Sequence, residues 1–266
     1  MENRWILHVR DFGKLESADV AVGSLTLFVG DNNSGKSYLM TLIYTLLNIR
    51  WYRDRYSLCT DSEEYRKCAE WIGEMLAESR RKKATATISP DRQRDLEQLL
   101  NRILQKNKER IVRNAFQTEL SIGELSVTLP ALGDRGEVAI SRLETDAEEE
   151  TYKLSVKNVR EHRRHGVRIR KKEAAVLTRY FICFLLEFLL KSELKSALLD
   201  DACFLPTSRT GFLLTYRSLI SASLTEEYDT GEGNAAPVPR PHLTKPCSDF
   251  LRTLVNLSPE RTQDRF

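Results

Sequence analysis

The sequence predicts an α/β fold with a helical insertion and a small antiparallel lobe, and three observations carry that prediction. An apolar, strand-like run, "LTLFVG" at 25–30, enters a glycine-bounded turn, and a helical pattern leaves it. Hydrophobic spacing stays helical over 61–115, on both sides of a break at Ser89-Pro90. It then switches to two-residue alternation over 118–170, broken by Gly, Pro and Asp.

Each element follows from its pattern. "RWILHVRDFGKLESADVAVGSLTLFVG" reads as strand, turn, strand, strand, with Trp5, Leu7 and Val9 alternating and Gly13 and Gly23 at the turns. From Ser37 onward, Leu39, Leu42, Ile43, Leu46 and Leu47 recur at helical spacing, so this helix is expected to bury one face against a sheet. Over 59–117, Trp71, Ile72, Met75 and Leu76 form one stripe, and Leu96, Leu99, Leu100, Ile103 and Leu104 another. They predict a helical hairpin arm standing off the core, its second helix started around Pro90 by Ser89 or Asp91. Over 118–172, "GELSVTLPALG", "GEVAISRLET" and "EEETYKLSVKNV" predict a β-rich lobe with a basic edge. The core is expected from 1–58 and 173–266, the latter with a helix over about 172–199, a short strand "ACFLP" and a last helical piece "CSDFLRTLVNL".

Composition narrows the class. The chain has 266 residues, 41% hydrophobic and 30% charged, which suits a globular protein with solvated helices. Its net charge of +3 is too small to mark a nucleic-acid binder, so the distribution of charge decides. Five cysteines form no C-x-x-C pair, and a reducing cytoplasm is expected. Met1 to Arg10 alternates like a strand and shows no signal-peptide pattern. The apolar run 174–190 carries Arg179 and Glu187, so a buried helix and no membrane span is expected.

The turn is the most informative feature. Gly30-Asp31-Asn32-Asn33-Ser34-Gly35-Lys36-Ser37 fits G-x-x-x-x-G-K-[ST] without a mismatch. The two glycines let successive N–H groups turn inward onto phosphate oxygens. Lys36 supplies a charge for the β- and γ-phosphates, and Ser37 a hydroxyl for Mg²⁺. The helix that follows, through Tyr38, points its positive end at the anion. A nucleotide triphosphate, with ATP and Mg²⁺ as the expected pair, is therefore assigned to residues 30–38.

The loop and its surroundings resemble the ABC-type, AAA-family P-loop ATPases of the SMC, RecF and OLD kinship. Asp11-Phe12-Gly13 stands where those proteins carry an "nFg" turn, and Asn32 and Ser34 are family-like choices inside the loop. "FLPTSRTG", 204–211, is similar to a "P-A-S-R-T/S-G" segment of stand-alone bacterial ATPases, many of them encoded in phage-defence operons; Thr207 replaces the usual alanine. The resemblance implies a P-loop fold of ABC-ATPase type, working in the cytoplasm, whose two copies sandwich Mg-ATP and signal to a partner such as a nuclease or toxin. It covers about the first 50 residues and 203–220.

Other catalytic parts are harder to place. "SALLDD" ends in Asp200 and Asp201 like a Walker B strand, yet "KSELKSALLDD" reads better as a helix end. "LSPE", 257–260, lacks the glycine pair of a signature loop. Gln117 is a candidate γ-phosphate sensor or an ordinary helix-end glutamine, and Arg209 a phosphate ligand or a structural ion-pair donor. The economical expectation is the N-terminal part of a longer ATPase, or a shortened relative. The basic stretch 153–172 is either a contact for DNA phosphates or a solvated hairpin balanced by the acids before it, with "SRRKK" at 79–83 a second such cluster. His162 and His165 have no third ligand nearby and predict no metal site. Three function classes stay open: an ATPase head, an ATP-binding regulatory module with little hydrolysis, and a P-loop small-molecule kinase.

Overall fold

In the computed structural model the described residues are 4–23, 26–31, 33–51, 56–79, 83–131, 136–143, 151–158, 163–170, 174–191 and 243–256. The chain divides into two compact units, one of residues 1–36, 49–108 and 121–198, the other of 37–48, 109–120 and 199–266. The elements, in order, are β1 (Trp5–Phe12), β2 (Leu15–Val22), α1 (Lys36–Leu47), α2 (Glu63–Ser79), β3 (Ala84–Thr87), α3 (Pro90–Phe116), β4 (Glu124–Thr128), β5 (Gly136–Leu143), β6 (Thr151–Asn158), β7 (Arg163–Arg170), α4 (Ala174–Lys191) and α5 (Lys245–Asn256).

The first unit holds two antiparallel sheets. In the order β2-β1-β4, β1 is central, pairing Leu7 with Val20 and with Val127. Alternation sorts its faces. Trp5, Leu7 and Val9 are fully buried together with Leu125, whereas His8 and Arg10 face outward. There His8 Nδ1 meets Asp19 Oδ1 at 2.8 Å and Nε2 meets Thr128 Oγ1 at 2.9 Å, while Arg10 donates to Asp19 at 2.9 Å. The guanidinium and imidazole partners hold the Asp19 carboxyl below the usual range. The segment expected to begin the β lobe, "GELSVTLPALG", thus joins β1 instead, because its alternation matches β1's buried face.

The second sheet has the order β3-β5-β6-β7. Val138, Ile140, Tyr152 and Ala84 occupy one face and are buried, and α2 packs against β3 and β5. The break at Ser89-Pro90 therefore holds a strand, β3, as well as a helix start. Ser89 is the cap: its Oγ accepts from Arg92 N at 3.3 Å and its C=O from Gln93 N at 2.9 Å, with Pro90 as the first helical residue. Asp91 pairs instead with Arg94 at 3.0 Å.

Helix α3 does two jobs. Leu96, Leu99, Leu100, Ile103 and Leu104 are fully buried. A polar stripe beside them runs along the free edge of β4. Gln93 Nε2 donates to Pro130 O at 2.7 Å, and Glu97 Oε2 accepts from Leu129 N at 3.2 Å. Asn101 accepts from Val127 N at 2.7 Å and donates to Val127 O at 2.8 Å. Gln105 accepts from Leu125 N and donates to Gly123 O, each at 3.2 Å, and Lys108 also donates to Gly123 O. Four helical residues rise about 6 Å and two strand residues about 6.8 Å, so an i, i+4 stripe keeps step with every second residue of the strand. Nearby, Asn107 brackets Ser57 in the same way, accepting from its N at 3.0 Å and donating to its O at 2.8 Å.

Helix α4 is the buried helix expected of the 174–190 run: Phe181, Ile182, Leu185 and Leu186 are at most 0% exposed, and no described helix is long and apolar enough to cross a membrane. Its Glu187 accepts from Trp51 N at 3.1 Å and pairs with Arg50 at 3.3 Å. In the second unit, Leu42, Thr45 and Leu46 of α1 are almost fully buried, and burial extends around most of the helix rather than along one face. There Tyr44 donates to Asp249 at 3.1 Å, and Lys245 pairs with Asp249 at 2.7 Å. The expected strand "ACFLP", Asp200, Asp201, Arg209, "LSPE" and His162 lie outside the described residues.

Two expectations follow. Asn101→Ala strips partners from both the N–H and the C=O of Val127, and should cost about 2 kcal/mol in urea unfolding, against a few tenths for the exposed Arg94→Ala. The double variant Asn101→Ala/Gln105→Ala uncovers the β4 edge and should elute partly as oligomers in size-exclusion chromatography. The second concerns Glu187, whose carboxyl burial pushes above its ordinary value against the opposing pull of Arg50. The folded state then holds the proton longer than the unfolded chain, so this group's contribution is present at low pH and declines as pH rises. Unfolding compared at about pH 4 and pH 7 should show Glu187→Gln gaining on the wild type at the higher pH.

Candidate functional site

The site is built from the segment between β2 and α1. The strand expected over 25–29 is not formed: residues 26–31 have no regular structure, and Leu27 and Val29 are 81% and 84% exposed. A strand needs a partner for its backbone; both edges of β1 are taken by β2 and β4, and the outer edge of β2 does not pair with this segment. No described strand pairs with 26–29.

The loop itself has the backbone its glycines predict. Gly30 has φ +151° and Gly35 φ +85°, and Asn33 between them is also left-handed at +68°, a conformation asparagine tolerates. Ser34 N donates to Asp31 O at 3.3 Å and closes the turn. Gly35 also lies close to the start of β2: a Cβ there would stand 2.7 Å from Leu15 Cδ2. Leu15 is held by the β1–β2 turn, where Asp11 (φ +49°) and Gly13 (φ +59°) are left-handed and Phe12 pairs with Leu15. Gly13 N donates to Ser121 O at 3.3 Å and Gly123 N to Arg10 O at 2.9 Å, fixing the turn to the chain leading into β4.

Lys36 opens α1 and folds back over the loop. Its Nζ donates to Gly30 O at 2.7 Å, Asp31 O at 2.5 Å and Ser34 Oγ at 3.0 Å. These acceptors are all neutral. Phosphate oxygens make shorter and stronger charge-assisted bonds, so a triphosphate can draw the amine away from them. The first turn of α1 carries no acidic residue, leaving its positive end uncompensated by its own side chains. Ser37 is exposed on that turn, and Tyr38 sets its ring edge-on to Phe116, centroids 5.4 Å apart. Asp31, Ser34 and Lys36 thus meet in one loop, while Asn32 lies outside the described residues.

Gln117 sits at the C-terminal end of α3 in the left-handed conformation, φ +54°. Its N donates to Arg113 O at 2.8 Å and its Nε2 to Asn114 O at 3.0 Å. Both bonds satisfy carbonyls left open by the last helical turn, so in this structure its amide closes a helix. Among the described residues no group of three His, Cys, Asp or Glu side chains could hold a metal ion, and the described cysteines are free thiols. Burial pushes Cys68 and Cys183 up to about 12, which leaves both unreactive. Sequence reasoning missed what supports the loop, the Leu15 contact to Gly35. The signal was the fixed pairing of a D-F-G turn with the loop some 20 residues on.

A model for the AAA ATPase domain matches residues 6–117. The DNA replication and repair protein RecF of Yersinia enterocolitica is 33% identical over 90 residues, covering 34% of this chain and 24% of that one. RecF of Yersinia pseudotuberculosis and of Yersinia pestis are each 32% identical over the same length and coverage. The matched stretch thus spans about a quarter of these relatives. No solved structure matches the chain. With its turn, its phosphate loop and the helix that follows, the segment 6–117 is similar to the corresponding part of AAA-family P-loop ATPases.

Proposed function

We propose that this chain is the ATP-binding head of an ABC-like ATPase that pairs with a second subunit around Mg-ATP. The observation that carries the proposal is Lys36, held over a loop of left-handed glycines by three neutral oxygens that a triphosphate can replace. In this reading the amides of residues 30–36 and the Lys36 amine bind the phosphates, and the Ser37 hydroxyl holds Mg²⁺, which supplies charge neutralisation to the transferring phosphoryl group. Catalysis of that reaction is mainly positioning and charge stabilisation, which the loop and α1 provide for the phosphate side. Gln117, Asp200 and Arg209 remain the residues to test for water activation, magnesium binding and phosphate contact. The exposed apolar Leu27 and Val29 support a head that further elements complete.

The partners this reading calls for are a second copy of the head, DNA, and an effector such as a nuclease or toxin in a defence system. The relatives' DNA replication and repair names favour DNA metabolism as the setting. An ATP-binding module with little turnover is the second reading, favoured by the engagement of the Gln117 amide in its own helix end.

Lys36→Ala should weaken binding of a fluorescent ATP analogue about 10- to 100-fold, without lowering the thermal midpoint. Phosphate release by the wild type, lost in Lys36→Ala, supports the ATPase head; tight binding with no release supports the second reading. Transfer of labelled γ-phosphate to an acceptor other than water would mark a kinase. A further variant separates backbone from packing. Gly35→Ala forces a left-handed alanine at about 1–2 kcal/mol and should cost roughly tenfold in ATP affinity. The left-handed backbone at 35 strains an alanine whatever the space around it, so Leu15→Ala/Gly35→Ala should recover only the part of the loss that the Leu15 clash causes.

A further inference from the structure

Two glycines flank the β1–β2 turn, and the space where each would carry a Cβ is taken by a side chain of that hairpin. On one side a Cβ on Gly35 would meet Leu15 first, with Cδ2 at 2.7 Å, Cγ at 2.8 Å and Cδ1 at 3.0 Å. On the other, a Cβ on Gly123 would stand 2.7 Å from Asp11 Oδ2, 3.0 Å from Asp11 Cβ and 3.2 Å from Arg10 O. The turn is therefore packed to contact against the phosphate loop and against the chain leading into β4.

The turn has little room to give way. Leu15 stands opposite Phe12, which is fully buried, at the end of the β1–β2 ladder. Asp11 and Gly13 are both left-handed, at φ +49° and +59°. Arg10 O accepts from Gly123 N at 2.9 Å, and Gly13 N donates to Ser121 O at 3.3 Å. Helix α3 holds the far side of that segment, where Gly123 O accepts from Gln105 Nε2 at 3.2 Å and from Lys108 Nζ. Contacts thus run from α3 through Gly123, Asp11 and Leu15 to Gly35, the residue before Lys36, and all of them lie within the first unit. Leu15 is the nearest neighbour on the side of Gly35 where a Cβ would project, so cutting it back opens space beneath the bend.

We propose that Leu15 is a positioning residue for the phosphate loop. It holds Gly35 in the phosphate-binding bend, and through the turn it makes nucleotide affinity depend on the grip of α3 on Gly123. This rests on the ATP-binding reading above and adds to it a residue outside the loop. A loop that spends only part of its time in the competent bend binds with its affinity reduced by that fraction.

Binding of a fluorescent ATP analogue and of inorganic tripolyphosphate is measured on the full chain, with urea unfolding of each variant alongside. Leu15→Ala should weaken both ligands about 5- to 10-fold, as when the competent bend falls to roughly a fifth or a tenth of the population. Leu15→Met refills the space and should restore most of the affinity. Val20→Ala, on the same strand opposite Leu7, should lower stability and leave affinity unchanged. Gly123→Ala presses on Asp11 from the other side and should weaken binding about fivefold. Asp11→Gly/Gly123→Ala should recover part of that loss, because Arg10 O still crowds position 123. In nucleotide-free protein, tryptic cleavage after Lys36 should be about fivefold faster in Leu15→Ala than in the wild type, and unchanged in Val20→Ala. The proposal is overturned if Leu15→Ala folds and binds both ligands like the wild type, if Leu15→Met binds no better than Leu15→Ala, or if Val20→Ala loses as much affinity. A wild type that binds neither ligand sinks the ATP-binding reading, and the cleavage rates then decide for Leu15: equal rates in wild type and Leu15→Ala overturn its role as well. If Leu15→Ala does not fold, the smaller cut Leu15→Val takes its place and should weaken both ligands about two- to threefold.

Discussion

The first unit rests on a mismatch that nearly vanishes. A helix advances about 6 Å in four residues and a strand about 6.8 Å in two, so one stripe of a helix can serve one edge of a strand for several residues. Helix α3 uses this along β4, with Gln93, Glu97, Asn101 and Gln105 at successive four-residue steps. The alternative for β4 would be an edge of unpaired N–H and C=O groups open to another chain. Side-chain amides are well suited to the task, because one Asn or Gln both donates and accepts and so satisfies both groups of a strand residue. Glu97 can only accept while ionised, and it faces a lone N–H; its partial burial pushes its carboxyl up, with Leu129 N–H pulling the other way. The stripe therefore converts a long charged helix into the cover of a sheet.

A second ordering principle acts in the other sheet, where successive residues of a strand belong to opposite faces. Tyr152, Val138 and Ile140 go to the core, and Lys153 and Lys157 must then go to the other side. Burial of a few apolar residues thus sets where a whole row of charge stands. The placing of those lysine positions is in this sense a by-product of the core.

Much of this was legible in the sequence, and the losses are physical. Strands β1 and β2, the helices at 63–79, 90–116 and 174–191, and the glycine loop follow from period and punctuation, which are local properties. Partner choice is not local. "GELSVTLPALG" has the alternation of a strand but nothing in it names β1, far earlier in the chain, as its neighbour. The stripe on α3 looked like a solvated face because Asn and Gln at i, i+4 carry the same signal whether they meet water or a strand edge. A hint was there: Gln93, Asn101 and Gln105 are amides where an exposed helix more often alternates Glu and Lys. The "LTLFVG" run shows the opposite failure. Its composition asks for a strand, but a strand exists only against another, and among the described residues none is beside it.

These supports converge on the phosphate loop. Asn101 and its neighbours hold β4; the chain leading into β4 holds the β1–β2 turn through Gly123 N to Arg10 O and Gly13 N to Ser121 O. The turn sets Leu15 opposite Phe12, and Leu15 lies where a side chain on Gly35 would have to go. Gly123 is equally constrained, since a Cβ there would come within 2.7 Å of Asp11 Oδ2. A D-F-G turn and a G-x-x-x-x-G-K-S loop some 20 residues apart are thus parts of one mechanical chain. The turn's left-handed residues place a leucine, and the leucine backs the glycine that bends the loop. The loop is in this way held from below by the hairpin, in a region where its own strand has no partner. That arrangement leaves the upper side of the loop to Lys36, whose three neutral acceptors hold the amine in place without neutralising it. A cation so held keeps its charge available to an anion, whereas a carboxylate partner would have to be displaced first.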